Sequence, residues 1–150
     1  DTVKAKSIFD KIELQLNKFA RIVSDEDRIA TTIKKSSLPE KARQMILKEV
    51  NEGCNMMNEW VYEQTKQQLD KGKKVALLGG DHSTPYGYIK ALAEKHEHFG
   101  ILQIDAHCDL RKSYEGLNFS HGSIMYNVLE NIPQVKKLIQ VGIRDYCEQE

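Results

Sequence analysis

Two short polar clusters carry the residue types of a metal or acid–base site. Gly79-Gly80-Asp81-His82-Ser83 follows the apolar run Val75-Ala76-Leu77-Leu78. Asp105-Ala106-His107-Cys108-Asp109 follows Ile101-Leu102-Gln103-Ile104. Each cluster ends an expected strand, the place where open α/β sheets put their ligand sites. In an extended chain alternate residues share a face, so Asp105, His107 and Asp109 point one way and Ala106 and Cys108 the other. Fully extended, Asp105 and Asp109 would stand ~13 Å apart, so one small cluster requires the chain to curl beyond Asp105. Carboxylate and imidazole together suit manganese, iron, nickel or zinc better than calcium or magnesium. A single Asp-x-His is commonly a hydrogen-bonded strand end; two such clusters at neighbouring strand ends favour a metal.

Gly79-Gly80 is expected to let the backbone turn sharply and carry His82 over the sheet edge as a ligand. Asp81 and Ser83 would stand behind it, orienting the imidazole and the loop. Carboxylates that bridge two divalent ions hold a water whose pKa the ions lower, which makes hydroxide available near neutral pH. A substrate for that chemistry carries an electrophilic carbon or phosphorus. His121, in Phe119-Ser120-His121-Gly122, is placed to shuttle a proton or touch the substrate. The competing reading is a structural histidine.

The elements that must position these residues follow from periodicity. Ile8, Phe9, Ile12, Leu16 and Phe19 mark an amphipathic helix over Ser7 to Phe19. Ser24-Asp25-Glu26-Asp27 reads as the acidic start of a helix through Ile29 to Ile33, with Asp25 and Asp27 serving its dipole rather than a metal. Ser37 and Glu40 fit a capping box, with Pro39 in a first turn. Ala42, Met45, Ile46, Val50, Met57, Trp60, Val61 and Leu69 then predict one long helix from about Leu38 to Asp70, weakened at Gly53 and closed by Gly72. A strand over Val75 to Leu78, a helix from about Thr84 to Lys95, and a strand over Phe99 to Asp105 come next. His96-Glu97-His98 reads as a solvated turn. After a polar loop, a helix over Ser123 to Leu129 and a strand over Leu138 to Gly142 complete a β-α-β-loop-α-β order. Connections of this length favour parallel strands with right-handed crossovers.

Bulk composition excludes other classes. The 150 residues carry 22 Lys plus Arg against 22 Asp plus Glu, so no basic excess points to nucleic acid. Cys54, Cys108 and Cys147 have neither CxxC spacing nor an even count, which fits a reducing, cytoplasmic setting. No apolar run reaches the ~18 residues of a membrane span, and the first residues lack a signal-peptide core. The absence of an initiator Met suggests a processed chain or a piece of a longer one.

The motifs together resemble the ureohydrolase family of arginase, agmatinase and formimidoylglutamase. The resemblance rests on Gly79-Gly80-Asp81-His82-Ser83, Asp105-Ala106-His107-Cys108-Asp109, Ser120-His121-Gly122 and Val141-Gly142-Ile143-Arg144, and spans about Lys73 to Asp145. It implies a three-layer α-β-α fold with a mostly parallel sheet, here preceded by a helical region. It also implies a binuclear Mn2+ centre that hydrolyses a C–N bond of a guanidino or formimino substrate. On that basis His82 and Asp109 bind one manganese, His107 binds the other, Asp105 bridges them, and His121 lies near the substrate. The Ser-His-Gly setting of His121 is nearer to agmatinases than to arginases. The family's later Ser-x-Asp-x-Asp motif has no counterpart downstream, so residues 1–150 are expected to form one arginase-like domain that is incomplete. The expected partners are the small substrate and further copies of the chain as a homo-oligomer, with neither nucleic acid nor a membrane. Two other classes remain. One is an inactive metal-binding or regulatory module with the same fold. The other is a metallophosphoesterase, whose Asp-x-His usually comes first in the chain. Deacetylases share the general fold but use zinc.

Overall fold

The computed structural model describes residues 38–150. The expected helices at Ser7 to Phe19 and Ile29 to Ile33, and the Ser37 cap, lie outside the described residues. Helix α1 (Glu40–Leu69) buries Val50, Gly53, Cys54, Met57, Val61 and Thr65 at spacings of three and four and runs unbroken through Gly53. Pro39 is its N-cap rather than part of its first turn. Gly72, at φ +71, provides the left-handed turn past its end. Met45, expected in the buried stripe, is exposed, because its neighbours Ile46 and Leu47 take the contacts with Leu117.

Helix α2 (Pro85–Ala93) starts with proline at a position where no N–H is needed. It crosses α1 at Gly87, where a Cβ would fall 2.2 Å from the Asn58 carbonyl oxygen. Lys66–Glu94, Lys90–Glu59 and Lys95–Asp70 ion pairs line the exposed side of that crossing. His96, Glu97 and His98 lie in an exposed connection, as expected of a solvated turn.

Strands β1 (Phe99–Ile104) and β2 (Val135–Val141) pair in parallel, with Gln103 opposite Gln140 and Ile104 opposite Val141. Their crossover contains one 3-10 turn, His121–Ser123, and helix α3 (Ile124–Asn131). Ile89 of α2 and Ile124, Met125 and Val128 of α3 pack against Phe99, Ile101, Val135 and Leu138 on one face of the sheet. The other face shows Leu102, Ile104, Ile139 and Val141 exposed among the described residues.

The expected strand at Val75 to Leu78 does not form: residues 73–79 are irregular and Leu78 is 96% exposed. An apolar run becomes a strand only when a neighbour satisfies its N–H and C=O groups. The side-chain bond made here is the Tyr88 hydroxyl donating to the Val75 carbonyl at 3.0 Å. Among the described residues no helix is long and apolar enough to cross a membrane.

Candidate metal centre

The end of β1 delivers Asp105, and the chain then curls. Asp109 takes φ 56, a left-handed conformation rare outside glycine and best tolerated by Asp and Asn. Its carbonyl accepts the N–H groups of Met125 at 3.0 Å and Tyr126 at 3.2 Å, which fasten the loop to the start of α3. The curl brings Asp105 and Asp109 together on the side facing His82. Nδ1 of His82 lies 2.8 Å from Asp109 Oδ2 and 3.4 Å from Asp105 Oδ2. One ligand atom from each of His82, Asp105 and Asp109 lies within 4.8 Å of the others, a donor set that fits a divalent first-row cation.

His107 takes another direction. It is more than half exposed, with Nδ1 3.5 Å from Asp105 Oδ1 and Nε2 3.8 Å from Asp145 Oδ2. Asp105 therefore turns one oxygen toward His82 and the other toward His107. The same Oδ1 accepts the His107 N–H at 3.0 Å.

The His82 imidazole is held above its ordinary value, first by its hydrogen bond to Asp109, against the pull of burial, and then by the charges of Asp109, Asp105 and Asp81. Burial pushes the Asp105 carboxyl up, but the His107 N–H, the Gln103 amide and His82 hold it below the usual range. Burial raises the Cys108 thiol.

The loop before α2 departs from expectation in two ways. Asp81 Oδ2 accepts the Ser83 N–H at 2.8 Å and its carbonyl accepts the Thr84 hydroxyl, so Asp81 orders the loop. Ser83 Oγ, by contrast, is buried with no hydrogen-bond partner among the described residues. Gly79 and Gly80 take no left-handed conformation, and a Cβ on Gly79 would meet only Thr84 Cγ2 at 3.8 Å. Beside the Asp105 loop, the glycine that a close approach does require is Gly142. It has φ +93, and a Cβ there would lie 3.0 Å from the Asp105 carbonyl oxygen.

A pocket of about 210 Å³ opens beside the cluster, lined in part by His107, Asp109, Arg111, Tyr114 and His121. The His121 ring meets Tyr114 edge-on at 5.4 Å between centroids. Arg111 lies over the same tyrosine at 5.0 Å and pairs with Glu150 at 3.4 Å. Periodicity missed Gln103, Gln140 and Glu150. The signal for Gln103 was present: it is the one polar side chain in β1, and it shares the face of Asp105. Gln103 Nε2 stands 3.2 Å from both Asp105 Oδ2 and Asp109 Oδ2.

Comparison with known proteins bears on the family and the fold. A family model described as the arginase family matches residues 11–150. N(1)-aminopropylagmatine ureohydrolase of Thermus thermophilus is 40% identical over 85 residues, which cover 56% of this chain and 28% of that protein. Agmatinase of Bacillus anthracis is 36% identical over 90 residues, 60% of this chain and 31% of that protein. The solved arginase from Medicago truncatula superposes with a TM-score of 0.60 at 30% identity, over 69% of this chain and 34% of that one. The matched stretch thus spans about three tenths of the length of these curated relatives. With the family model matching residues 11–150 and a solved arginase superposing over 69% of its length, this chain belongs to the arginase family.

Proposed function

We propose that the protein to which this chain belongs is a manganese-dependent ureohydrolase that cleaves a guanidino C–N bond in the manner of an agmatinase, releasing urea. The observation that carries this reading is the convergence of His82, Asp105 and Asp109 beside the pocket that His121 lines. His82, Asp105 and Asp109 would hold one manganese, and His107 together with Asp105 would hold a second. Bound there, the metal supplies a Lewis acid and a water acidic enough to attack near neutral pH. His121 transfers a proton to the departing nitrogen. Tyr114 packs against its ring and keeps it at the pocket wall.

The choice of an agmatine-type substrate draws on two supports. The relatives named agmatinase and N(1)-aminopropylagmatine ureohydrolase match this chain. Asp145, a pocket residue that is 80% exposed, suits a cationic tail, whereas Arg111 is committed to Glu150 and is poorly placed to receive the carboxylates of a formimidoylglutamate. An arginase is the nearest alternative.

A second reading is an inactive metal-binding or regulatory module. It is favoured by the single-cation character of the cluster, from which His107 stands apart. Manganese content and urea release measured on one sample decide between them. Two manganese per chain with urea from agmatine supports the enzyme. One or fewer with no urea from agmatine or arginine and no formamide from formimidoylglutamate supports the module.

A further inference from the structure

Gln103 occupies a β1 position that an apolar side chain could fill at no polar cost, yet it is 5% exposed and fully engaged. Its Nε2 stands 3.2 Å from each of three oxygens: Asp105 Oδ2, Asp109 Oδ2 and the His107 carbonyl. Its Oε1 accepts a hydrogen from Gln140 Nε2 at 2.7 Å. That bond decides which end of the Gln103 amide faces the carboxylates, since only the nitrogen end can donate to them. Gln140 is the in-register partner on β2, and its nitrogen also donates to the Cys108 carbonyl at 2.7 Å. The half-buried Gln140 amide and the buried Gln103 amide thus form a chain of donors from β2 through β1 into the Asp105–Asp109 loop.

The Oδ2 atoms that Gln103 holds are the ones that face His82 Nδ1. Two carboxylates brought this close repel each other, and burial penalises both charges. A lysine or arginine between them would relieve the repulsion but would neutralise the charge that attracts a cation. A neutral amide relieves it without supplying a rival positive charge.

We propose that Gln103 is a positioning residue of the metal centre: it fixes the separation and orientation of Asp105 and Asp109 before a cation arrives, and Gln140 fixes the orientation of Gln103. This rests on reading the cluster as a metal site. Gln103→Leu keeps the volume and removes the donors. Partners that orient metal ligands commonly account for 10–100-fold in metal affinity, so Mn2+ binds roughly tenfold more weakly to that variant. Gln140→Leu leaves Gln103 in place and gives a smaller loss in the same direction.

The test has two arms on the 150-residue chain. In the first, the metal-free protein is labelled with 15N and the exchange of the Gln103 side-chain amide is followed by NMR. Protection well beyond that of Gln67 or Gln149 is expected; exchange as fast as theirs overturns the proposal with no metal involved. In the second, free Mn2+ is followed by EPR during titration of the unsubstituted chain and both variants. Equal affinity in all of them overturns the positioning role and leaves the metal centre standing. No Mn2+ binding by the unsubstituted chain removes the metal reading itself, and the first arm then still reports whether the amide grips the carboxylates.

Discussion

Nδ1 of His82 lies 2.8 Å from Oδ2 of Asp109, joining the loop before α2 to the end of the loop after β1. The two atoms lie within hydrogen-bond distance, and a cation that took both as ligands would replace that contact. His82→Ala and Asp109→Ala each remove a ligand from this group, so each is expected to abolish tight Mn2+ binding at this position. His107→Ala is expected to retain up to one equivalent, because His107 stands outside the group. Elemental analysis of the three variants after manganese loading and desalting makes the comparison. Full metal retention in His82→Ala would sink the assignment.

Glu150 joins the same loop to the turn after β2. Its side chain is 4% exposed and accepts the Leu110 N–H at 3.3 Å, the Cys147 N–H at 3.1 Å and Arg111 Nε at 3.4 Å. Burial pushes its carboxyl up, but these donors and the Arg111 charge hold it below the ordinary glutamate value. A carboxyl depressed in the folded state stabilises the fold fully above its unfolded pKa, and that contribution is lost as pH falls through the folded one. The unfolding midpoint is therefore expected to drop between about pH 5 and pH 3. In Glu150→Gln this acid limb flattens, and stability at neutral pH falls by about 2 kcal/mol, the scale of lost hydrogen bonds to a charged group. Urea unfolding across that range measures both effects; an unchanged acid limb in the variant would refute the clasp.

Much of this arrangement was legible in the chain, and the gaps have physical causes. The long helix, the helix after Thr84, both sheet strands and the parallel crossover follow from apolar spacing. The curl at Asp109 also follows, because Asp105 and Asp109, ~13 Å apart in an extended chain, could not otherwise meet. The run at Val75 was misread because local apolarity cannot show whether a pairing partner is present. Gly79-Gly80 was credited with a conformational need that belongs to Gly142, since composition identifies a glycine but not its φ. Gln103 and Glu150 act through contacts with residues distant in sequence, which spacing alone does not reveal.

Gly142 tests how closely β2 must approach the site. With φ +93 and the Asp105 carbonyl oxygen 3.0 Å from a would-be Cβ, alanine there is both strained and crowded. Gly142→Ala is expected to cost about 1–3 kcal/mol and to move the Asp105 backbone. Mn2+ affinity should fall with stability, whereas Gly72→Ala, where nothing lies within 4 Å of the added Cβ, should lower stability alone. Denaturant midpoints and Mn2+ titration of the two variants separate strain from displacement of the ligand. Unaltered Mn2+ affinity in Gly142→Ala would show that the contact does not govern Asp105.

Gly87 governs the helix crossing that carries His82. A Cβ there would lie 2.2 Å from the Asn58 carbonyl oxygen, 2.8 Å from the Tyr62 nitrogen and 3.0 Å from Val61 Cβ. Two of these are backbone atoms of α1, which cannot yield by changing rotamer, so α2 must lift away from α1. Overpacking of this kind typically costs about 1–3 kcal/mol, and the rigid backbone contact puts Gly87→Ala at or above the upper end. Because α2 follows the Asp81–Thr84 loop, its displacement also shifts His82 relative to Asp109. The variant is therefore expected to lose both stability, read by urea unfolding, and Mn2+ affinity, read by EPR. Helix propensity alone predicts the opposite sign, since alanine favours a helix by roughly 1 kcal/mol over glycine. A stabilised Gly87→Ala would thus show that the helices do not meet this closely.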